Sequence, residues 1–329
     1  MPLTEIRVTS KERFLSALAH KKPDRVPFNF WMDRRLMARY EQRIGHRHWR
    51  VTHYGADVIE TFAYLGWPPA PGVERDGTWW QTGPAMADWS DAPALKLPDP
   101  ADPKVYQLIG QDIAEFPDTA VILDMPTPWG ILAMLRSYEL LYMDVMDHPD
   151  ELMAVARRIA EITLEAVKRA CRMGITALYL MEDLADSRGL TMSPDMIRRF
   201  SLDLVRPHIA AAKEAGKPVL FHSDGNVTNL LPLLLEFGLD AVNPLQPHLN
   251  DVRAFKAGPG RKLALYGGLD NCFIIPNGSA DDVRAHVLDV FDAAGKPDGG
   301  LIFSTHDIPL DTPEANVQAM IDTIRQCTY

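Results

Sequence analysis

The chain has 329 residues, 47% of them hydrophobic and 24% charged, which is enough to bury a large core within one domain. A formal net charge of −10 and the lack of a long Lys/Arg cluster exclude a design for nucleic acid, whose phosphate backbone demands a basic footprint. Met1–Glu5 shows no basic segment leading into an apolar run, no stretch nears the roughly 20 apolar residues that span a bilayer, and Cys171, Cys272 and Cys327 are too scattered for a disulfide framework or a CxxC metal knuckle. The expectation is a cytoplasmic protein of one domain, residues 1–329, with neither a nucleic-acid nor a membrane partner.

Short apolar runs alternate with longer stretches of helical period, the pattern of parallel strands joined by crossover helices. Strands are predicted at Arg25–Asn29, Asp57–Phe62, Val121–Asp124, Ala177–Met181, Pro218–His222, Ala241–Asn243, Leu263–Gly267 and Leu301–Ser304. Ser193-Pro194 opens a helix predicted over Asp195–Ala212, and Thr312-Pro313 opens one over Glu314–Gln326, each read as an N-cap followed by proline at the first helical position. Gly174, Gly216 and Gly238 fall between helix and strand, where a left-handed residue is wanted. The fold class is α/β: a single (β/α)8 TIM barrel with an N-terminal extension and an irregular Pro- and Trp-rich insertion around residues 67–100, near the mouth.

In such a barrel the chemistry sits where strands end and the following loops begin. Glu182-Asp183, His222-Ser223-Asp224 and Ser304-Thr305-His306-Asp307 all fall there. His222 and Asp224 are two apart and project to the same side of an extended chain. With His306 they make a set of two imidazoles and one carboxylate, which suits catalytic zinc or another first-row metal. The alternative leaves His222 and His306 as acid/base or hydrogen-bonding groups, with Asp224 capping a helix near Asn226. Glu182 and Asp183 supply a further ligand or a base, or merely a cap or a partner for Arg188; adjacent acids after an apolar strand are costly to bury without a task.

Further candidates are weaker. Gly267-Gly268 lets a ligand approach the backbone, or forms a plain turn ending in Asp270. Cys272 reads better as a small apolar filler than as a ligand. Gln246 and His248 line the mouth or sit in a surface turn. Trp31, Tyr64, Trp79, Trp80 and Trp129 wall an apolar pocket or belong to the core, and Arg34, Arg35 and Arg136 read better as solvated faces than as carboxylate clamps.

Glu182-Asp183-Leu184-Ala185 with Ser193-Pro194-Asp195, the run from Gly216 to Asn226, the run from Gly238 to Gln246, Tyr266-Gly267-Gly268-Leu269-Asp270, Ser304–Pro309 with Thr312-Pro313, and the opening Glu12-Arg13-Phe14 with Asp24-Arg25-Val26-Pro27 carry a resemblance. Together they resemble the superfamily of uroporphyrinogen decarboxylases and corrinoid-dependent methyltransferases, over nearly the whole chain. Porphyrinogen decarboxylases carry a Gln-Ala-Gly-Arg loop where this chain has Phe30-Trp31-Met32-Asp33-Arg34-Arg35; their pyrrole-binding aspartate falls near Tyr64 and their active-site tyrosine near Met134. The thiol-alkylating methyltransferases hold zinc through His-x-Cys and a later Cys, positions that correspond to His222, Asp224 and His306. Exchanging thiolates for carboxylate and imidazole makes a harder centre, fitted to an oxygen or nitrogen substrate.

The resemblance therefore implies the O-demethylase type of reaction. Zinc on His222, Asp224 and His306 polarises a methoxy oxygen, Glu182 or Asp183 handles the proton, and the methyl group passes to a corrinoid (cobalamin) on a partner protein. Trp31, Tyr64 and Trp129, with Gln246 and Asp270, are the expected substrate contacts, and a homodimer is a further expectation. The competing readings are a metal-free decarboxylase of a smaller carboxylated substrate using His306 and Asp183, and a ligand-binding barrel without catalysis.

Overall fold

The computed structural model describes residues 8–75 and 78–329, the side chains of Thr78 and Trp79 excepted. The leader reading of Met1–Glu5 and the pocket role of Trp79 lie outside what is described. Seven strands pair in sequence order into one sheet: β1 (Val58–Phe62), β2 (Ala120–Pro126), β3 (Ala177–Met181), β4 (Val219–His222), β5 (Ala241–Asn243), β6 (Ala264–Gly268) and β7 (Leu301–Ser304). Every pairing is parallel, as crossover helices require.

The gap between β7 and β1 is filled by the extended segment 25–32. On one side Asp57 N–H donates to Phe28 O at 2.8 Å; on the other, Phe303 N–H donates to Pro27 O and Asn29 N–H to Phe303 O, both at 2.9 Å. The first predicted strand is thus present as isolated bridges rather than a continuous ladder, and the barrel closes through it.

Alternate residues of the strands face inward, and an apolar cluster inside the ring includes Val58, Ala120, Ile122, Ala177, Leu220 and Ile302. Its lower end is plugged by the helix Ser10–Leu18, started by a Thr9/Glu12 capping box and contributing Phe14, Ala17 and Leu18 to that cluster. A larger cluster lies between the strands and the outer helices. Among the described residues no helix is long and apolar enough to cross a membrane.

Local expectations hold except in three places. Ser193 caps its helix by accepting the Met196 N–H, but the predicted 195–212 helix is interrupted by a π segment at Arg198–Leu202. The helix Glu314–Gln326 takes Pro313 itself as N-cap, and Thr312 makes no capping bond: the Pro313 carbonyl accepts the N–H groups of Asn316 and Val317. No helix starts near Asn226; the next begins at Leu231, so Asp224 is not a helix cap. The insertion forms a two-stranded ribbon, Gly72–Arg75 with Thr78–Gln81, and packs on the helix Pro128–Arg136, where Gln81 donates to Met134 O at 3.3 Å.

Candidate active site

His222 ends β4 and is buried; Asp224 and His306 follow β4 and β7 with side chains about one-third exposed, at 31% and 34%. One ligand atom from each converges within 4.8 Å. His306 Nε2 lies 3.2 Å from Asp224 Oδ2, and His222 Nε2 lies 4.0 Å from Asp224 Oδ1 and 3.7 Å from Asp183 Oδ1. The spacing of residues 222 and 224 does bring both to one side, as the extended-chain argument required.

The polar surroundings decide how His222 presents itself. Its Nδ1 is 2.7 Å from Asn243 Oδ1 and 3.1 Å from the Tyr179 hydroxyl. Tyr179 already donates to Asn243 Oδ1 at 2.6 Å, and the Asn243 amide donates to Tyr266 O at 2.6 Å, which fixes its oxygen toward the imidazole. An acceptor there keeps the proton on Nδ1 and leaves the Nε2 lone pair facing Asp224. This is the arrangement that metal-bound histidines adopt, with the far nitrogen pinned by a neighbour.

Asp224 is the group with an unmet need. Its Oδ1 is buried and accepts no hydrogen bond, a costly state for a carboxylate oxygen. The residues present therefore fit a cation. Two nitrogens and a carboxylate oxygen suit zinc or a similar first-row ion, and the exposed side of the set leaves room for a substrate atom.

The loop is held by its neighbours. Gly225 has φ +90°, and a Cβ on it would meet Asp186 O at 2.6 Å, so only glycine lets the loop press this close to the Ala185–Asp186 backbone. Gln246 does not stand free at the mouth; its Oε1 accepts the Gly225 N–H at 2.9 Å. Gly267 answers a similar crowding: a Cβ there would run into Pro244 O, so the backbone just after β5, not a ligand, requires it.

Glu182 and Asp183 part ways despite being adjacent. Asp183 is half-exposed and accepts the Asp224 N–H at 3.0 Å. Glu182 is buried, with Thr127 Oγ1 donating to its Oε2 and Asp183 N–H to its Oε1 at 3.1 Å. Burial, against the pull of those bonds, pushes its carboxyl up to about 8. Arg188 pairs with Asp186 instead of either.

Beneath the mouth lies a polar layer that inspection of strand ends missed. Glu60 Oε1 accepts from Tyr266 at 2.5 Å and from Asn29 at 3.2 Å. Burial raises the carboxyls of both Glu60 and Asp124, the latter well above its ordinary value. Arg50 is buried beside Glu60, donating to Phe30 O at 2.6 Å, with its guanidinium 4.3 Å from the centre of the Trp31 ring. An inward-facing acid inside each of two apolar strands was the available signal.

The remaining candidates separate. Trp31 is half-buried at the top of the barrel, where its backbone bonds to the Thr305 hydroxyl. Tyr64 is exposed beyond the end of β1 and Trp80 is exposed on the ribbon. Trp129 is wholly buried, its ring 5.7 Å from that of Tyr142. Asp270 is buried in its own turn, accepting from Cys272 and Phe273. Arg136, read from sequence as a solvated face, is buried in a two-bond pair with Asp144. Arg34 pairs with Glu74 on the surface, and Arg35 with Asp33.

The family model described as "Uroporphyrinogen decarboxylase (URO-D)" matches residues 79–327. A uroporphyrinogen decarboxylase of Phenylobacterium zucineum is 26% identical over 263 residues, covering 74% of this chain and 71% of the relative. One of Coxiella burnetii is 22% identical over 180 residues, 54% of this chain and 48% of the relative, so the chain spans about half the length of that match. A solved methyltransferase from Methanosarcina mazei superposes with a TM-score of 0.76 at 17% identity, covering 97% of this chain and 99% of that one, a likeness of fold. With about three-quarters of its length under the family model, the chain belongs to the uroporphyrinogen decarboxylase (URO-D) family.

Proposed function

We propose that this chain is a metal-dependent methyltransferase that moves a methyl group from a small methoxylated substrate to a corrinoid acceptor on a separate protein. The observation that carries this reading is the convergence of His222, Asp224 and His306 with an unsatisfied Asp224 oxygen and a histidine whose far nitrogen is pinned. A zinc-type cation held by these residues would supply Lewis acidity toward the ether oxygen.

The chain's own groups do the rest. The methyl–oxygen bond breaks toward the acceptor, and the oxygen left behind needs a proton. Glu182, pushed up to about 8, holds one at neutral pH, and half-exposed Asp183 is the neighbour through which it passes. Trp31 and exposed Tyr64 offer aromatic surface above the barrel, and Tyr138, whose phenol feels the charges of Glu182 and Asp183, adds to it. The test is turnover of methoxylated aromatic compounds with reduced cobalamin as acceptor, alongside metal analysis of wild type and Asp224→Ala. Full metal content and full turnover in the variant would sink the assignment.

A second reading, decarboxylation of a small carboxylated substrate without metal, has its own support. The buried carboxyls of Glu60 and Asp124 are held toward their protonated forms, where they can donate to a developing carbanion. Carbon dioxide release with no corrinoid present would favour it.

A further inference from the structure

Beside the triad lies a second group of ligand-bearing side chains that methyl transfer leaves unused. One atom each from His248, Asp270 and Cys272 lie within 4.8 Å of one another. Asp270 is the fixed member: its buried carboxylate accepts the N–H groups of Cys272 and Phe273 through Oδ1, both at 2.9 Å, which leaves Oδ2 for another partner. His286 is excluded as a ligand through Nε2, because that atom already accepts the Asp270 N–H at 2.9 Å. His248 is exposed, its ring edge-on to Phe273 at 5.4 Å, and a cleft of about 560 Å³ lined by His248, Asp270 and His286 gives access from solvent. Cys272 is half-buried, and its thiol has Asn271 Oδ1 at 3.9 Å for company. The filler role expected of it from sequence does not account for a buried carboxylate and an imidazole converging on the same point.

The two groups are neighbours without sharing a residue. Asn271 donates to Asp307 O at 2.9 Å, tying the Asp270–Phe273 turn to the loop that carries His306. Gln246, two residues before His248, holds Gly225 in the loop that carries Asp224. Imidazole, carboxylate and thiolate form a borderline-soft donor set, the kind that selects zinc and its first-row relatives over magnesium or calcium.

We propose that His248, Asp270 and Cys272 form a second centre for a zinc-type divalent cation, bridging the loops that follow β5 and β6. On binding, the thiol proton leaves to solvent as the sulfur–metal bond forms. The centre stands apart from the methyl-transfer reading, because the triad contains no sulfur.

That difference supplies the test. Zinc is spectroscopically silent, so metal-stripped protein is titrated with Co(II) and followed by absorption, where a sulfur-to-cobalt charge-transfer band reports thiolate ligation. Wild type is expected to take up two equivalents and show the band. His222→Ala keeps the band with one equivalent; Cys272→Ser, conservative in size, loses the band and keeps the other equivalent with an unchanged circular dichroism spectrum. His248→Ala, at an exposed position, weakens the sulfur-linked equivalent about tenfold or more. No band in wild type, or a band that survives Cys272→Ser, overturns the proposal. So does a single equivalent whose band vanishes in both Cys272→Ser and His222→Ala, since one shared cation would then explain everything. A band persisting in wild type that binds no cation at the triad would keep this centre and remove the methyl-transfer reading instead.

Discussion

The two ends of the barrel treat their carboxylates in opposite ways. At the lower end, Asp57 is buried between two guanidiniums: Arg13 reaches its Oδ1 at 2.7 Å, Arg25 its Oδ2 at 2.7 Å, and Phe28 N–H adds a bond at 2.9 Å. Asp24 completes the cluster through Arg13 at 2.7 Å. At the upper end, Asp224 has the imidazoles of His222 and His306 within 4 Å of its carboxylate. Glu182, Glu60 and Asp124 are buried with their carboxyls raised. Below, Asp57 is held by guanidiniums from within the chain; above, Glu60 has buried Arg50 nearby, while Glu182 and Asp124 are held toward a proton and Asp224 is left for a cation. That is the division expected of a barrel whose lower end carries stability and whose upper loops carry the site.

Removing a carboxylate from each end should therefore do different damage. Asp57→Ala leaves half-buried Arg25 without its carboxylate, takes from buried Arg13 one of its two carboxylate partners and removes the acceptor of the Phe28 N–H; it is expected to cost about 3–5 kcal/mol of folding stability, read by denaturant unfolding, with cation uptake by the surviving folded protein unchanged. Asp224→Ala is expected to reverse the pattern. Stability holds or rises, because an unsatisfied buried oxygen is gone, while cation binding at the triad and turnover fall by about 100-fold or more. Equal stability losses at the two sites would break the comparison.

The same division explains what could be read in the sequence. The strands β1 to β7 were legible because each is a short apolar run bounded by glycine or polar loop residues, and His222, Asp224 and His306 were legible because they stand just where those runs stop. The segment 25–32 was harder, since it bonds to both neighbours through isolated bridges. Glu60, Tyr179, Asn243 and Tyr266 escaped notice because they sit inside strands that look apolar; only their inward phase links them to His222. Trp129 is wholly buried, and an indole has the same letter in a pocket wall and in a core. Cys272 and His248 lie 24 positions apart in sequence, so their convergence depends on the crossover between β5 and β6.

Glu182 sharpens the contrast through pH. Its carboxyl is raised in the fold, from an ordinary 4.5 to about 8, so the native state holds a proton that the unfolded chain has released. That contribution is fully present below about pH 4.5 and is lost as pH rises through about 8. Wild type should lose roughly 2–4 kcal/mol across that window relative to Glu182→Gln, whose amide cannot ionise. Denaturant midpoints of both proteins between pH 5 and pH 9 measure it; parallel curves would mean that Thr127 and the backbone N–H groups hold Glu182 ionised, as the lower end holds Asp57.

The smallest effect probes how the upper end is prepared. Asn243 offers no ligand atom itself, yet its oxygen fixes the proton on His222 Nδ1, and Tyr179 supports it from the other side. Asn243→Ala removes that acceptor, lets the imidazole exchange tautomers, and should weaken cation binding at the triad about 10- to 100-fold. Tyr179→Phe, which leaves the asparagine in place, should cost less. A positioning role predicts that Asn243→Asp, which retains an acceptor at the same point, restores binding, whereas a merely structural role predicts that no acceptor helps because the defect lies in packing against Tyr266. Competition titrations of the three variants against a chelator of known affinity separate the two, and recovery in Asn243→Asp alone would tie the upper end's chemistry to a single hydrogen bond one residue removed from the ligand set.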